Sequence, residues 1–206
     1  MKRIFVLLFA MLLIVPSCME AQDKMIQKAV KSKVKEYEKA GWKIYGTSLP
    51  MNVALTKHYE KILGEEGAFE VSGSASNFKS KNVGKQMAIN SACQTYAQSA
   101  GSHVKGRVVS DMNGDGVEAG EEFENFYAAY ERLVEKEIKG EMKESYTIIK
   151  ESKNGPSEML VFYVINEEAA SRARIRALEN AAKESEVAQK HAQKVSDFIR
   201  EGFSVE

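Results

Sequence analysis

The segment YTIIKESKNGPSEMLVFYVINEE, residues 146–168, decides the fold class. Two runs rich in β-branched and aromatic residues, 146–150 and 159–165, lie on either side of the sequence Asn-Gly-Pro at 154–156. Such runs favour β-strands, and a turn sequence of this kind between them is typical of an antiparallel pair. The segment therefore predicts a β-hairpin.

A long final helix is predicted directly after the hairpin. Asn166 is a favoured N-cap residue, and acidic residues in the next turn complement the helix dipole. Apolar residues at helical spacing continue to about Glu201, which gives a helix of roughly 50 Å beside a domain about 40 Å across. Its end is therefore expected to overhang and to serve self-association or a protein partner, unless the first helix folds back to cover it.

The residues before the hairpin add further strands and helices. Alternating apolar residues from Ala68 predict a strand, and a second strand is expected over residues 104–110. A short strand is expected at 42–45. Helices are predicted over 23–40, from a cap at Ser48 to 64, over 82–100 up to a stop at Gly101, and over 123–140. The small alanine side chains of the 82–100 helix indicate close approach to the sheet or to another helix.

Together these elements predict an α+β fold. We expect a mainly antiparallel sheet of about four strands, packed against amphipathic helices and followed by the long C-terminal helix. With 206 residues, the chain is long enough for one ordinary domain, expected over residues 22–206.

The amino terminus has the pattern of a secretion signal. Lys2 and Arg3 precede twelve apolar residues, 4–15, far fewer than the roughly 20 that a membrane-spanning helix needs. Two processing sites remain open. The sequence Val-Pro-Ser-Cys ending at Cys18 is similar to a lipobox, which would remove residues 1–17 and acylate Cys18. Cleavage after Ala21 would instead remove residues 1–21.

Charge and cysteine content exclude some functions. Lysine and arginine number 29 and aspartate and glutamate number 29, and the chain stays near neutral without the leader. It therefore lacks the basic excess typical of nucleic-acid binding. Processing at either site leaves Cys93 as the one cysteine able to pair, so no intrachain disulfide is expected, and its alanine-rich surroundings predict a small buried side chain.

One stretch resembles a known group of proteins. Residues 73–75 (Gly-Ser-Ala), the alanine-spaced helix that follows, and Ala100, Gly101 and Val104 resemble the alanine-rich bacterial surface lipoproteins typified by the Helicobacter membrane-associated lipoprotein antigen. The order of elements is also similar to that of uncharacterised exported proteins of Bacteroides-type bacteria. The resemblance covers about residues 68–110. It implies an antiparallel sheet packed against helices and no known catalytic residues.

A candidate calcium loop lies at residues 111–122, which fit the pattern D-x-[DN]-x-[DN]-G followed by five residues and Glu. Calcium takes six to eight oxygen ligands. The side chains of Asp111, Asn113 and Asp115, the carbonyl of Val117 and a bidentate Glu122 would supply them. The alternative is a turn-forming connection between a strand and a helix, which uses the same residue types.

No catalytic constellation is apparent in the sequence. The three histidines fall in separate predicted elements without metal-ligand spacing, so each is expected to be a surface or a satisfied residue. We therefore expect a non-enzymatic protein of the cell envelope, exported to the outer membrane or periplasm, with a binding or structural role and a possible lipid anchor in the membrane. The alternative is a calcium-binding secreted domain that uses the 111–122 loop.

Overall fold

The computed structural model describes residues 15–115, 121–152 and 155–183, with side chains described for 22–106, 124–152 and 155–183. These residues form five helices and four strands. The helices are α1 (Val15–Lys39), α2 (Met51–Gly64), α3 (Lys81–Asp115), α4 (Glu121–Glu141) and α5 (Glu167–Ala182). The strands are β1 (Lys43–Tyr45), β2 (Ala68–Phe78), β3 (Lys143–Lys150) and β4 (Ser157–Asn166).

The four strands form one antiparallel sheet in the order β1-β3-β4-β2. The predicted hairpin is confirmed as the pair of central strands, β3 and β4, and the α+β class is confirmed with it. Strand β4 is an almost continuous apolar run because helices cover both of its faces.

Helices α3, α4 and α5 lie on one face of the sheet. They pack over the β4 side chains Met159, Val161, Tyr163 and Ile165. Helices α1 and α2 cover the opposite face, where Phe162 of β4 meets Tyr146 and Ile148 of β3 in a second, smaller core. The sheet therefore separates two helical layers.

The alanine-rich part of α3 approaches strand β2 closely, as its composition predicted. Ala88 and Ala92 are fully buried. A Cβ at Gly73 would lie 2.1 Å from the Ala88 carbonyl oxygen and 2.4 Å from the Ala92 backbone nitrogen. Only a residue without a side chain fits at this crossing of helix and strand.

The predicted strand over residues 104–110 is wrong, because these residues belong to α3. Gly101 does not end the helix. Because Gly101 has no side chain, α4 can pack close to it. A Cβ at this position would lie 2.3 Å from Cγ of Glu131 of α4. Val104 lies one turn after Ala100, and both are buried, so the apolar stripe of the helix extends at least to Val104, the first residue that we assigned to a strand.

Two helix ends follow signals in the sequence, and one predicted cap does not. Gly41, at φ +84°, ends α1 with the backbone hydrogen bonds of a Schellman motif. The Asn166 side chain accepts a hydrogen bond from the Ala169 backbone nitrogen at 2.9 Å and caps α5. The predicted Ser48 cap is wrong, because α2 begins after Pro50 without a side-chain cap. The predicted final helix is described up to Ala182, and its extension to Glu201 lies outside the described residues.

Candidate functional site

The candidate lipidation site, Cys18, lies near the start of α1. The described backbone is helical without a break from Val15 to Lys39. The side chain of Cys18 lies outside the described residues, as do residues 1–14. Acylation of Cys18 therefore stays a prediction.

The candidate calcium loop is described only in part. The backbone of Asp111, Asn113 and Asp115 forms the end of α3, where we expected a loop entered from a strand. Val117 lies outside the described residues, and Glu122 lies in the first turn of α4. None of these side chains is described, so calcium binding stays a prediction. Among the side chains that are described, no group of three or more His, Cys, Asp or Glu residues is placed to hold a metal ion.

Helices α1 and α2 form an open groove of about 820 Å³, which we call the basic groove. Four exposed lysines line it: Lys28, Lys31 and Lys35 from α1 and Lys57 from α2. The remaining lining residues are Gln27, Val30, Val34, Asn52, Val53, Thr56 and Glu60. The groove thus combines an apolar floor with four positive charges and one negative charge.

The lysines of α1 lie opposite its buried face. Lys24, Lys28, Lys31, Lys35 and Lys39 recur every three or four residues, which places them on one side of the helix. Ile26, Val30 and Tyr37 are buried on the other side, against α2 and the sheet. The exposed row therefore faces away from the protein, whereas Lys33 lies off this row and binds Glu36 at 3.0 Å.

Two exposed apolar side chains lie at the end of the α1–α2 pair nearest Cys18. Met25 of α1 is 64% exposed and Leu63 of α2 is 49% exposed. The two helices are antiparallel, and the Gln22 amide donates a hydrogen bond to the Leu63 carbonyl at 3.4 Å. Basic and apolar groups therefore occur together on this outer side of the molecule.

A second polar arrangement, centred on His58 of α2, lies between α2 and the sheet. Its Nδ1 lies 3.0 Å from Oγ of Ser145, and its Nε2 lies 2.7 Å from a carboxylate oxygen of Glu70. A register shift between Glu144 and Tyr146 places Ser145 in a bulge of β3. A bulge re-aims side chains, and here Ser145 and the adjacent Tyr146 both contact His58. His58 therefore joins α2 to β2 and β3.

The order serine, histidine, carboxylate is also that of acyl-transfer triads. His58, however, is only 1% exposed, and it packs edge-on against the rings of Tyr59 and Tyr146. Ser145 is half-buried, and the side chain of Glu70 is 40% exposed. Ser145 lines neither the basic groove nor the groove between β2 and α3, where a substrate would bind, so we interpret this network as a structural bridge.

The same core holds a pair of tyrosines. Tyr37 of α1 and Tyr146 of β3 both pack against Phe162, and burial raises the pKa of both hydroxyls. Tyr146 stacks on Phe162, with ring centroids 4.3 Å apart. These contacts fix α1, and with it the lysine row, to the sheet.

A second groove, of about 790 Å³, runs between the outer strand β2 and α3. The rings of Phe69 and Tyr96 stack in its wall with centroids 6.3 Å apart. Behind them, the buried Arg174 donates a hydrogen bond to the Tyr96 hydroxyl at 2.7 Å and binds Glu167. The arginines at 172, 174 and 176 do not form one binding face, because Arg174 points inward while Arg172 and Arg176 bind carboxylates of α4.

The spacing of the α1 lysines is visible in the sequence, but neither the place of Lys57 beside them nor the His58 bridge was predicted. We expected each histidine to be a surface or a satisfied residue, and His58 is satisfied. Its partners could not be identified, because Glu70 and Ser145 are 12 and 87 positions away in the chain. The one signal for the bridge in the sequence was the position of His58, next to Tyr59 on the inner face of a predicted helix.

None of the described helices has the length and hydropathy that a membrane-spanning segment requires. Comparisons of the chain with protein families, with curated proteins and with solved structures find no match. The resemblance to alanine-rich surface lipoproteins therefore stays a prediction.

Proposed function

We propose that the protein is a non-enzymatic, lipid-anchored protein of the cell envelope. In this proposal residues 1–17 are the leader, Cys18 carries the acyl group, and the α+β domain has a binding or structural role at the membrane surface. The outer membrane is the expected location, and the periplasm is the expected location if cleavage follows Ala21.

The observation that supports the proposal is the continuity of α1. One helix runs from the lipobox-like site into the domain core, where Ile26 and Val30 are buried. Cys18 precedes Ile26 by eight residues, which is about 12 Å along a helix. An acyl group on Cys18 would therefore hold the domain against the bilayer surface.

Mass spectrometry of the natural amino terminus tests this proposal. We expect a mature chain that begins at Cys18 and carries acyl mass. We also expect the Cys18→Ala variant to lack that acyl mass. A mature chain that begins at Gln22 without acyl mass would overturn the lipoprotein assignment.

A further inference from the structure

We infer that the outer side of the α1–α2 pair docks on a bilayer that contains anionic phospholipids. The four lysines of the basic groove would contact headgroup phosphates, and Met25 and Leu63 would enter the interfacial region. This inference rests on the proposed function, because it names what the anchored domain contacts.

The charge of the groove supports an anionic partner. Within the described part of the chain, Lys28, Lys31, Lys35 and Lys57 have no carboxylate within salt-bridge distance. Several other lysines do: Lys85 lies 3.0 Å from Glu144, and Lys105 lies 2.7 Å from Glu124. These four lysines therefore form no ion pair with described carboxylates, and with Glu60 the groove keeps a net positive charge although the whole chain is neutral.

The direction of the lysine row supports a flat partner. When the buried face of α1 lies on the sheet, the row points away from the protein, and Lys28 to Lys35 spans about 10 Å along the helix. A planar array of phosphates can meet the whole row at once. A basic amphipathic helix next to a lipid anchor binds anionic membranes in this way, with about 1 kcal/mol for each lysine near the surface.

The exposed apolar side chains favour a membrane over free phosphate or nucleic acid. Met25 and Leu63 occupy the end nearest the proposed anchor, where a bilayer would be closest. A soluble anion gives these side chains no partner, whereas the bilayer interface buries apolar side chains beside lysines.

The test uses residues 22–206, which lack the proposed anchor at Cys18 and keep every described buried residue, the first of which is Ile26. We expect it to bind vesicles of equal parts phosphatidylcholine and phosphatidylglycerol and not to bind pure phosphatidylcholine. Added sodium chloride should weaken this binding, because exposed charges are screened.

The decisive variant is Lys31→Gln with Lys57→Gln. Each lost lysine should lower the partition coefficient about fivefold, so the pair should lower it about 30-fold. The matched control, Lys79→Gln with Lys136→Gln, removes the same charge from exposed positions elsewhere and should bind like the unmodified chain. Met25→Ser with Leu63→Ser should weaken binding and leave its salt dependence unchanged.

Three outcomes would overturn the inference. Equal loss of binding in the groove variant and the control would show that general charge is responsible. Displacement by inorganic phosphate beyond that by chloride of equal ionic strength would assign the groove to a soluble anion. Self-association without vesicle binding would assign the surface to a second copy of the chain. None of these results bears on acylation, which the mass of the amino terminus decides separately.

Discussion

Single residues set the closest contacts of this molecule. Gly73 and Gly101 lie where helices cross a strand and another helix, and at both positions a Cβ would overlap a neighbouring element. His58 connects three elements by two hydrogen bonds. The fold depends on these positions more than on any surface charge.

Replacement of Gly73 by alanine should force α3 away from β2. We expect the free energy of unfolding to fall by about 1–3 kcal/mol, the usual cost of overpacking. Gly140→Ala is the matched control, because nothing lies within 4 Å of a Cβ there and alanine favours a helix by about 0.5–1 kcal/mol. Urea unfolding measures both. Equal stability of Gly73→Ala and the unmodified protein would disprove the close contact.

The His58 bridge predicts a graded loss of stability. His58→Ala removes a buried ring and both hydrogen bonds and should cost about 2–4 kcal/mol. Ser145→Ala removes one hydrogen bond and should cost about 1 kcal/mol. If the two variants unfold at the same urea concentration, His58 does not have the central structural role that we assign to it.

At the scale of elements, the sequence predicted most strands and helices and misassigned part of α3. The β3–β4 hairpin could be predicted because β-branched runs and a turn sequence are local signals. The end of α3 could not be, since Val104 and the β-branched residues after it also favour strands. At Gly101 the helix packs closely against α4 and continues past this contact. The sequence gives no sign of that contact.

Of the basic groove, only the lysines on α1 could be predicted from the sequence. The lysine row follows from spacing within one helix. The groove also needs Lys57, and α2 packs beside α1 through a core that joins Val30 and Tyr37 of α1 to Leu55 of α2, residues far apart in the chain. The bulge at Ser145 gave no local signal either, because it arises from the pairing of β3 with β4.

The pairing of α4 with α5 includes a pH-dependent contribution. Arg176 donates hydrogen bonds to Glu137 at 2.7 Å and to Glu141 at 2.8 Å. The Arg176 guanidinium lowers the pKa of Glu141. A carboxyl with a lowered folded-state pKa stabilises the protein above its unfolded pKa and loses this effect as the pH falls.

Glu141→Gln should therefore be less stable than the unmodified protein at neutral pH, by less than about 1 kcal/mol, because the pair is partly exposed. The difference should shrink on acidification below the ordinary glutamate pKa of 4.5. Denaturant curves at several pH values measure it. A difference that grows in acid would contradict the ion pair.

On the scale of the whole molecule, tyrosines in both cores couple stability to alkaline pH. Burial raises the pKa of Tyr163 and of Tyr127 to about 12, from an ordinary value of 10.0. The folded state therefore keeps protons that the unfolded state releases. Their contribution is complete below pH 10 and is lost as the pH rises towards 12.

We thus expect the melting temperature to fall steeply above pH 10. The absorbance of ionised tyrosine and the circular dichroism of the backbone should change together, because the buried hydroxyls ionise when the protein unfolds. Full ionisation of all tyrosines near pH 10 in a protein with native circular dichroism would contradict their burial.

The two helical layers carry different groups on their outer surfaces. The α1–α2 layer carries the proposed anchor, the basic groove and the exposed Met25 and Leu63. The α3–α5 layer also exposes the apolar Val83 and Met87 of α3, but the adjacent Lys81 and Lys85 pair with Glu151 and Glu144. Its groove is bordered by Glu70 and Glu167. We therefore expect the first layer to face the membrane and the second to face the aqueous side.

Hydrogen–deuterium exchange of the mature protein, with and without anionic vesicles, tests this orientation most directly. We expect slower exchange on vesicle binding in residues 22–35 of α1 and 52–63 of α2, with unchanged exchange in β2, α4 and α5. Protection confined to α4 and α5, or to the groove beside β2, would contradict it.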